Sequence, residues 1–346
     1  MSKFSVGVVG LGWAASGHIP AFINNPDCEI TAFCSSKDLS QDEVACMAGN
    51  PAAKLYHDYD EFLKHPGLQV VDLCTPHNMH APQAIKAAEA GKHLLIEKPL
   101  ATTYEDLLAI RDVVKKTGVS SSVFFELRFI PHMTLVKSLV GQGLLGKVHH
   151  LEVDYYHGIG PWYAQHPWNV KKEIGVSSLI TAGCHALDSL LFFADSEVEE
   201  VFAYSNKSAA DWAQDYEYDS TSVSLLKFAN GTIGKCVSCV DCRQPYVFNV
   251  HLVGSEGTLL GTKLSSTKIK GVNKEEWIEI PTAEATSGDV LDHPYPPQID
   301  AFMSALKEGK DDVINVADAF KTFRVIFAIE KSLAEGRPVK VSELPA

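Results

Sequence analysis

The sequence lacks the excess of basic residues that binding to nucleic acid or to an anionic membrane requires. It has 30 Lys and Arg against 43 Asp and Glu, a formal net charge of −13 at pH 7. Phosphate groups are neutralised by clustered Lys and Arg, and anionic lipid surfaces attract the same clusters. We therefore expect no nucleic-acid partner and no membrane partner, and a small molecule as the ligand.

Long apolar runs and targeting signals are also missing from the pattern. No apolar run approaches the roughly 18 residues needed to span a bilayer. The first residues show no charged n-region, apolar h-region or small-residue cleavage site. The eight cysteines are scattered, several of them inside apolar strand-like segments, which is typical of reduced thiols. These features predict a soluble, cytoplasmic protein.

Metal-binding and nucleophile motifs are absent as well. The fourteen histidines include no H-E-x-x-H spacing, and no serine nucleophile elbow occurs. Cys236, Cys239 and Cys242 resemble part of an iron–sulfur run, but its next ligand would fall at Tyr246. On a strand, Cys239 would also point away from the face of the other two cysteines. We predict no metal site.

The segments that are present indicate an α/β domain followed by an α+β domain. Across the first part of the 346 residues, short apolar strands alternate with amphipathic helices, which predicts a Rossmann doubly wound parallel sheet. After about residue 123, strand-like segments follow one another, interrupted by one helix that carries His185. This pattern predicts an α+β domain with a large, mostly antiparallel open sheet. We assign residues 1–122 and 123–346 to the two domains, with a helical tail over 298–334 able to pack back on the first.

A glycine-rich turn follows the first predicted strand. Gly10, Leu11, Gly12, Trp13 and Ala15 fit the pattern G-x-G-x-x-A. The first Gly permits a tight turn, the second lets the backbone approach a pyrophosphate, and the Ala lets helix and strand pack closely. The free N–H groups at the helix start would bind the phosphates. The pattern predicts a dinucleotide site, although small residues also suit a purely structural turn.

The second predicted strand ends at Cys34, where an NAD-binding domain usually carries an acidic residue for the ribose hydroxyls. Here the sequence continues with Ser35, Ser36 and Lys37, and Asp38 comes later. Two hydroxyls and a cation suit a ribose 2′-phosphate. The loop therefore favours NADP(H), with NAD(H) as the alternative. If the loop binds no ligand, Ser and Lys are simply residues common in solvent-exposed loops.

A lysine follows another predicted strand. Lys98 lies in Glu97-Lys98-Pro99 directly after the strand His93–Ile96. Ligands of doubly wound sheets bind beyond the carboxyl ends of the strands, so this position directs an ammonium group toward the nicotinamide end of a cofactor. Without further context, a solvated charge would be the better reading. The turn after the preceding strand should add four residues to the cofactor site: Thr75, Pro76, Asn78 and His80.

The segment 71–100, VDLCTPHNMHAPQAIKAAEAGKHLLIEKPL, closely resembles the glucose-fructose oxidoreductase/inositol dehydrogenase/MocA-like (Gfo/Idh/MocA) family. The resemblance covers nearly the whole chain. Its most specific part is the EKP motif combined with a downstream G-x-H-x-x-D at Gly183, His185 and Asp188. The other matching positions are His18 and Pro20 in the opening fingerprint, Arg128-Phe129-Ile130-Pro131, and residues 254–259, GSEGTL.

The resemblance implies a dehydrogenase in which Lys98 and His185 are the catalytic residues. One sugar or polyol hydroxyl would lie between them, His185 would exchange its proton, Lys98 would stabilise the alkoxide, and hydride would pass to the cofactor. It also implies a cis Lys98–Pro99 peptide, cofactor contacts from Glu97 and Arg128, and a homodimer or homotetramer formed through the C-terminal sheet. If His185 is not catalytic, it is a buried structural histidine of the helix. For Asp188 we prefer a structural role in helix packing.

The substrate pocket is less sharply indicated by the sequence. Many family members have Asp four residues before the histidine, whereas this chain has Thr181, which cannot hold a negative charge. An inositol-dehydrogenase-like site is therefore in doubt. His157 and Trp168 are predicted to contact substrate together with Lys98, Thr181 and His185, because aromatic faces beside polar groups suit carbohydrate. For Trp162 and Tyr163 a hydrophobic cluster fits at least as well.

Two other functions remain open from the sequence. Some members of the family are glycosidases in which bound NAD transiently oxidises a sugar hydroxyl. A related protein could also be a non-enzymatic regulator that senses dinucleotide. Such a regulator should have lost its acid and base groups, and Lys98 and His185 are both present.

Overall fold

The computed structural model describes residues 3–284, 289 and 292–345. Met1 and Ser2, the start of the segment without targeting signals, lie outside the described residues. The chain divides into two compact units, each built from two stretches. The first comprises Met1–Glu126 and Asp289–Phe320, and the second comprises Leu127–Gly288 and Lys321–Ala346.

The first unit contains a six-stranded sheet in the order β3-β2-β1-β4-β5-β6. All neighbouring strands pair in parallel, so the predicted doubly wound sheet is confirmed. Its strands are β1 Phe4–Val9, β2 Cys28–Cys34, β3 Lys54–Tyr56, β4 Val70–Leu73, β5 His93–Ile96 and β6 Ser121–Val123. Its helices are α1 Ala15–Asn24, α2 Gln41–Ala48, α3 Tyr59–Leu63, α4 His77–Glu89, α5 Tyr104–Thr117 and, later in the chain, α10 Tyr295–Glu308.

An apolar core of the first unit joins its sheet to α1 and α10. The central strands are buried on both faces, which explains why β4 and β5 are almost continuously apolar. Val8 of β1 and Phe22 of α1 belong to the same buried cluster as Ile299, Phe302 and Met303 of α10. Helix α10 is therefore an integral layer of this unit although 171 residues, 124–294, separate it from β6.

The second unit contains a nine-stranded sheet in the order β14-β13-β12-β11-β7-β10-β9-β8-β15. Among the strands that the structure describes in this sheet, only β7 and β10 pair in parallel, so the prediction of a large, mostly antiparallel sheet is confirmed. Its strands are β7 Val148–Tyr156, β8 Val198–Asn206, β9 Thr221–Phe228, β10 Ile233–Cys239, β11 Val247–Gly254, β12 Gly257–Leu260, β13 Lys263–Ser266, β14 Ile278–Glu279 and β15 Val339–Lys340. Its helices are α6 Pro131–Gly141, α7 Gly160–Tyr163, α8 Lys172–Gly175, a π-helical turn Leu179–Gly183 and α9 Cys184–Phe193. Short 3₁₀ turns are Glu126–Phe129, Asp211–Asp215 and Val341–Glu343, and helix α11, Val316–Glu335, crosses the boundary between the units.

The two faces of this second sheet differ. Helix α9 packs on β7 and β10, and residues that point toward it are buried. The strict alternation of buried and exposed residues along β9 shows that the other face is open. Tyr204, Leu225 and Ile233 are apolar residues on that open face that are 70%, 55% and 57% exposed.

The structure refines two sequence-based expectations about helices. The tail over 298–334 is not one helix, because Gly309 adopts a left-handed conformation (φ 64°) that ends α10 before α11 begins. One stretch, Lys172–Phe193, does have the length and composition of a membrane span, with a mean hydropathy of 1.4. However, 83% of its most apolar 18-residue window is buried inside the fold, as is usual for a core helix.

Candidate active site

The turn after β1 has the backbone geometry that a dinucleotide site requires. Gly10 has a φ of +86°, and a Cβ there would lie 2.7 Å from the carbonyl oxygen of Cys74, so no side chain fits. A Cβ on Gly12 would meet no heavy atom of the described chain within 4 Å. The backbone at Gly12 is therefore open to a ligand, and this is the role predicted for the second glycine.

Helix α1, all of which the structure describes, begins without a side-chain cap and has no acidic residue in its first turn. Its first N–H groups and the positive end of its dipole suit an anion. Ala15 is buried against the core, whereas Trp13 is 41% exposed. These residues fit the pyrophosphate of a dinucleotide.

The loop after β2 is connected to this turn. The Lys37 ammonium donates a hydrogen bond of 2.6 Å to the carbonyl oxygen of Leu11, and its backbone N–H donates to Ser35 Oγ at 3.1 Å. Ser36 is exposed, and the Asp38 side chain is fully exposed. The cation thus lies beside the glycine turn, and the first acidic residue of the loop extends into solvent.

The loops after β4 and β5 are joined by a buried histidine. The ring nitrogens of His80 lie 2.7 Å from the carbonyl oxygen of Pro99 and 2.8 Å from that of Thr75. Burial lowers the pKa of His80. The Thr75 hydroxyl donates to Gln83 Oε1 at 2.7 Å, while Pro76 and Asn78 are exposed. His80 therefore links the backbone at Thr75 to the backbone at Pro99, next to Lys98.

Lys98 is held by a buried chain of charged groups. Its backbone N–H donates to Glu97 Oε2 at 3.0 Å, and Glu97 Oε1 lies 3.0 Å from His18 Nε2. His18 Nδ1 lies 3.1 Å from each carboxylate oxygen of Asp72. The Lys98–Pro99 peptide is cis, as the family resemblance implies. The orientation of Lys98 thus depends on a network that reaches the middle of the sheet.

The electrostatics of this network favour an imidazolium between two carboxylates. Burial alone lowers the pKa of His18, but the Cys74 sulfur and the Asp72 carboxylate outweigh it, and the pKa lies well above its ordinary value. Burial raises the pKa of Glu97, and the hydrogen bond from His18 and that cation's charge more than reverse the effect. His18, Asp72 and Cys74 lie close enough to hold a metal ion. Because both ring nitrogens of His18 already face carboxylates, we assign the cluster to proton and charge balance instead.

Glu126 is a further buried acid near Lys98. Burial and the nearby Glu97 charge raise its pKa to about 8. At neutral pH this carboxyl group is therefore mostly protonated.

Three residues of this network were not recognised from the sequence: Asp72 and Glu126, and His18 in its role between two carboxylates. Asp72 stands out within the apolar strand Val70–Leu73, and a charged residue in a strand buried on both faces could have signalled the network.

In the second unit, His185 lies in the first turn of α9 and is 5% exposed. The π-helical turn before it packs tightly, since a Cβ on Gly183 would lie 2.4 Å from Ser238. The Thr181 hydroxyl donates to the carbonyl oxygen of Gly175 at 2.7 Å. Thr181 therefore lies inside the π-helical turn, and its hydroxyl group ties that turn to the backbone at Gly175.

Arg128 and Asp188 form a buried ion pair. The guanidinium donates two hydrogen bonds of 2.6 Å to the Asp188 carboxylate, which also accepts one of 2.9 Å from Thr322. This arrangement agrees with a packing role for Asp188. It also shows that at least two donors of Arg128, a predicted cofactor-binding residue, bind this carboxylate.

The predicted aromatic wall contains two groups of side chains. Tyr155 and His157 are hydrogen-bonded at 2.8 Å, and the His157 ring lies 4.2 Å from that of Tyr246. Trp162 contacts His166 with ring centroids 4.8 Å apart, and Trp168 lies 6.2 Å from His166. Each predicted residue therefore belongs to an aromatic cluster with a polar member, and this composition suits a sugar ring.

Comparison with known proteins defines the class of this molecule. Residues 4–125 match the model of an oxidoreductase family with an NAD-binding Rossmann fold, and residues 133–260 match that of the GFO/IDH/MocA C-terminal domain. The site and fold are thus those of a dinucleotide-binding oxidoreductase. The chain belongs to the GFO/IDH/MocA family, which confirms the resemblance read from the sequence.

Individual proteins with similar sequences or structures support the same family assignment. An uncharacterized oxidoreductase from Synechocystis is 31% identical over 195 residues, 54% of this chain and 50% of that protein. The chain therefore spans about half the length of that relative. A scyllo-inositol 2-dehydrogenase (NAD(+)) from Bacillus subtilis is 24% identical over 342 residues, 96% of this chain and 95% of the relative. The solved scyllo-inositol dehydrogenase of Lactobacillus casei with bound NAD(H) and scyllo-inositol has the same fold, with a TM-score of 0.81, 18% identity and coverage of 99% and 100% of the two chains.

Proposed function

We propose that this protein is an NAD(P)-dependent oxidoreductase acting on a carbinol or carbonyl carbon of a sugar, glycoside or polyol. The observation that carries the proposal is the position of Lys98. It follows β5 at the same edge of the parallel sheet as the Gly10–Gly12 turn after β1, and the Glu97–His18–Asp72 network holds its backbone. Ligands of doubly wound sheets bind at this edge.

The residues would divide the chemistry as follows. When bound, the dinucleotide supplies the hydride acceptor or donor. The Lys98 ammonium stabilises the alkoxide that forms as the hydroxyl loses its proton, and His185 takes or returns that proton. His157 and Trp168 are proposed to contact the sugar ring. Glu97 would position Lys98, since its carboxylate accepts a hydrogen bond from the Lys98 backbone N–H.

Thr181 bears on the substrate class. Its hydroxyl donates to the backbone of Gly175, and a threonine supplies no carboxylate beside His185. His185 would therefore work without an acidic partner at position 181. We propose that a sugar or glycoside is a better substrate than inositol, because this chain lacks the carboxylate that many members of the family have at position 181.

We propose NADP(H) as the preferred dinucleotide. Lys37 lies beside the glycine turn through its bond to Leu11, and the exposed Asp38 leaves the loop without an inward acid. Replacing Lys37 with Ala should lower kcat/KM for NADP⁺ about tenfold, the loss of one phosphate contact, with little change for NAD⁺. Equal effects on both cofactors would contradict the assignment.

The proposed activity can be tested by following cofactor reduction at its near-ultraviolet absorbance, with each dinucleotide and a panel of sugars, glycosides and polyols. We expect turnover with at least one panel member, and a loss of about 100-fold or more in Lys98→Met, with dinucleotide binding retained. Cleavage of an aryl glycoside with unreleased cofactor would instead indicate the glycosidase. No turnover, with dinucleotide binding intact, would indicate the regulator.

We further propose a homodimer or homotetramer, formed through the open face of the second sheet, in a reducing compartment such as the cytoplasm. Tyr204, Leu225 and Ile233 are exposed on that face, and exposed apolar patches commonly mark interfaces. The cysteines that the structure describes are free thiols, consistent with reducing conditions. Sedimentation should show dissociation in Leu225→Glu, and an unchanged mass would place the interface elsewhere.

A further inference from the structure

A group of three side chains able to bind a metal lies on the open face of the second sheet, in the strands β7 and β11. His150 and Glu152 are two residues apart on β7 and therefore share a face of the sheet. On the antiparallel neighbour β11, His251 is the direct register partner of Glu152. Strand pairing thus brings two imidazoles and one carboxylate together, although about 100 residues of sequence separate them.

The distances among these groups are close to those of a coordination sphere. Glu152 Oε2 lies 3.6 Å from His150 Nε2 and 4.0 Å from His251 Nδ1. One ligand atom from each residue lies within 4.8 Å of the others. Ligand atoms at about 2.0–2.1 Å around a tetrahedral zinc ion are roughly 3.4 Å apart. Small side-chain rotations would therefore complete the geometry.

The carboxylate is oriented for this role. Its other oxygen, Oε1, accepts hydrogen bonds from Lys235 Nζ at 2.6 Å and from Asn249 Nδ2 at 3.1 Å. Oε2 is thereby directed toward the imidazoles. Lys235 also lies 3.1 Å from Asp154 Oδ2, so a second carboxylate offsets its charge. Outer hydrogen bonds that fix a ligand in this way are usual around metal sites.

The environment is also suitable for an ion with an open coordination position. In the single chain the side chains of His150, Glu152 and His251 are 27%, 17% and 32% exposed, so they are held by packing and keep one side free for an ion and its remaining ligand. The imidazole rings cross at 79° with centroids 5.8 Å apart. They can therefore approach one ion from different directions without contact between the rings.

We propose that His150, Glu152 and His251 bind one divalent first-row transition-metal ion, with Zn²⁺ the best match to two imidazoles and a carboxylate. Because this is also the face proposed above for contact between subunits, water or a side chain of a second subunit completes the coordination, and the ion links β7 to β11. The site has no part in the proposed oxidoreductase chemistry. It also departs from the sequence-based expectation of no metal, because register across two distant strands creates the ligand set.

The test uses untagged, chelator-treated protein, titrated with Zn²⁺ by calorimetry and equilibrium dialysis. We expect one ion per chain and a higher melting temperature when it is bound. His251→Ala and Glu152→Gln should each weaken binding at least about tenfold. His149→Ala is the matched control, since His149 is exposed and adjacent on the same strand, and it should bind like wild type.

Cobalt provides a second, independent measurement. Co²⁺ bound by two imidazoles and a carboxylate should give visible absorption bands without the near-ultraviolet charge-transfer band of thiolate ligands, and the bands should vanish in His251→Ala. Melting curves recorded without metal establish that each variant is folded, and Glu152→Gln preserves side-chain size. The proposal is overturned if wild type binds no stoichiometric Zn²⁺, if the variants bind as tightly as wild type, or if a thiolate band appears.

Discussion

Removing His18 should destabilise the first unit more than any loss of an exposed histidine. Its imidazole lies 3.0–3.1 Å from two carboxylates, Asp72 and Glu97, which are 0% and 6% exposed. In His18→Ala these carboxylates keep their burial and lose their shared cation. Breaking a buried ion pair from one side costs about 3–5 kcal/mol in the free energy of unfolding. For a domain of 150–250 residues, this corresponds to a fall of roughly 6–20 °C in Tm.

The destabilisation caused by His18→Ala should depend on pH in a defined direction. The pKa of His18 is raised in the folded state, so the stability it contributes is complete below the ordinary histidine pKa and is lost as pH rises through the folded-state value. The difference in unfolding free energy between wild type and His18→Ala should therefore be largest in mildly acidic buffer and shrink toward alkaline pH.

Urea unfolding across that pH range, followed by circular dichroism, is the assay. Exposed His149→Ala serves as the control for removing an imidazole. Asp72→Asn should fall between the two, because an amide oxygen still accepts a hydrogen bond from His18. The reasoning is refuted if His18→Ala loses no more stability than the control, or if its deficit grows as pH rises.

Two further predictions concern other buried carboxyl groups. Glu126 has a pKa raised to about 8, so it should make wild type lose stability as pH climbs from the ordinary carboxyl range toward that value. Because His18 and Glu330 also have raised pKa values, Glu126→Gln should make this slope in urea midpoints shallower without removing it, and an unchanged slope would contradict the assignment. Asp188 is 1% exposed and accepts two hydrogen bonds from Arg128. Asp188→Asn should therefore lower the free energy of unfolding by about 3 kcal/mol, measured by the same urea titration. A change below about 0.5 kcal/mol, which is typical of surface sites, would show that the ion pair contributes little to stability.

Local sequence patterns were sufficient for the parts of the fold that depend on near neighbours. The parallel sheet, the Gly10 turn and the position of Lys98 after β5 all follow from strand–turn–helix order, and the structure has each of them. Long-range packing was harder to foresee. The place of α10 in the first unit depends on contacts of Ile299 and Phe302 with residues near the start of the chain, and no periodicity within α10 encodes them.

The candidate site shows the same limit. Lys98 and His185 carry recognisable motifs, whereas the network behind Lys98 assembles from α1, β4 and the end of β5. Asp72 and His18 are 54 positions apart and meet only because β1 and β4 are neighbours in the sheet. The His150, Glu152 and His251 group depends in the same way on the register of β7 and β11.

The central claim is that Lys98 and His185 act together in hydride transfer at a carbinol carbon. It is tested most directly by supplying a substrate identified in the panel with deuterium at that carbon and measuring the isotope at the nicotinamide C4 position of the reduced cofactor. We expect deuterium to appear there with wild type and to fall about 100-fold or more in rate with Lys98→Met and with His185→Ala. Substrate turnover without deuterium in the cofactor, or near wild-type transfer in either variant, would contradict the account.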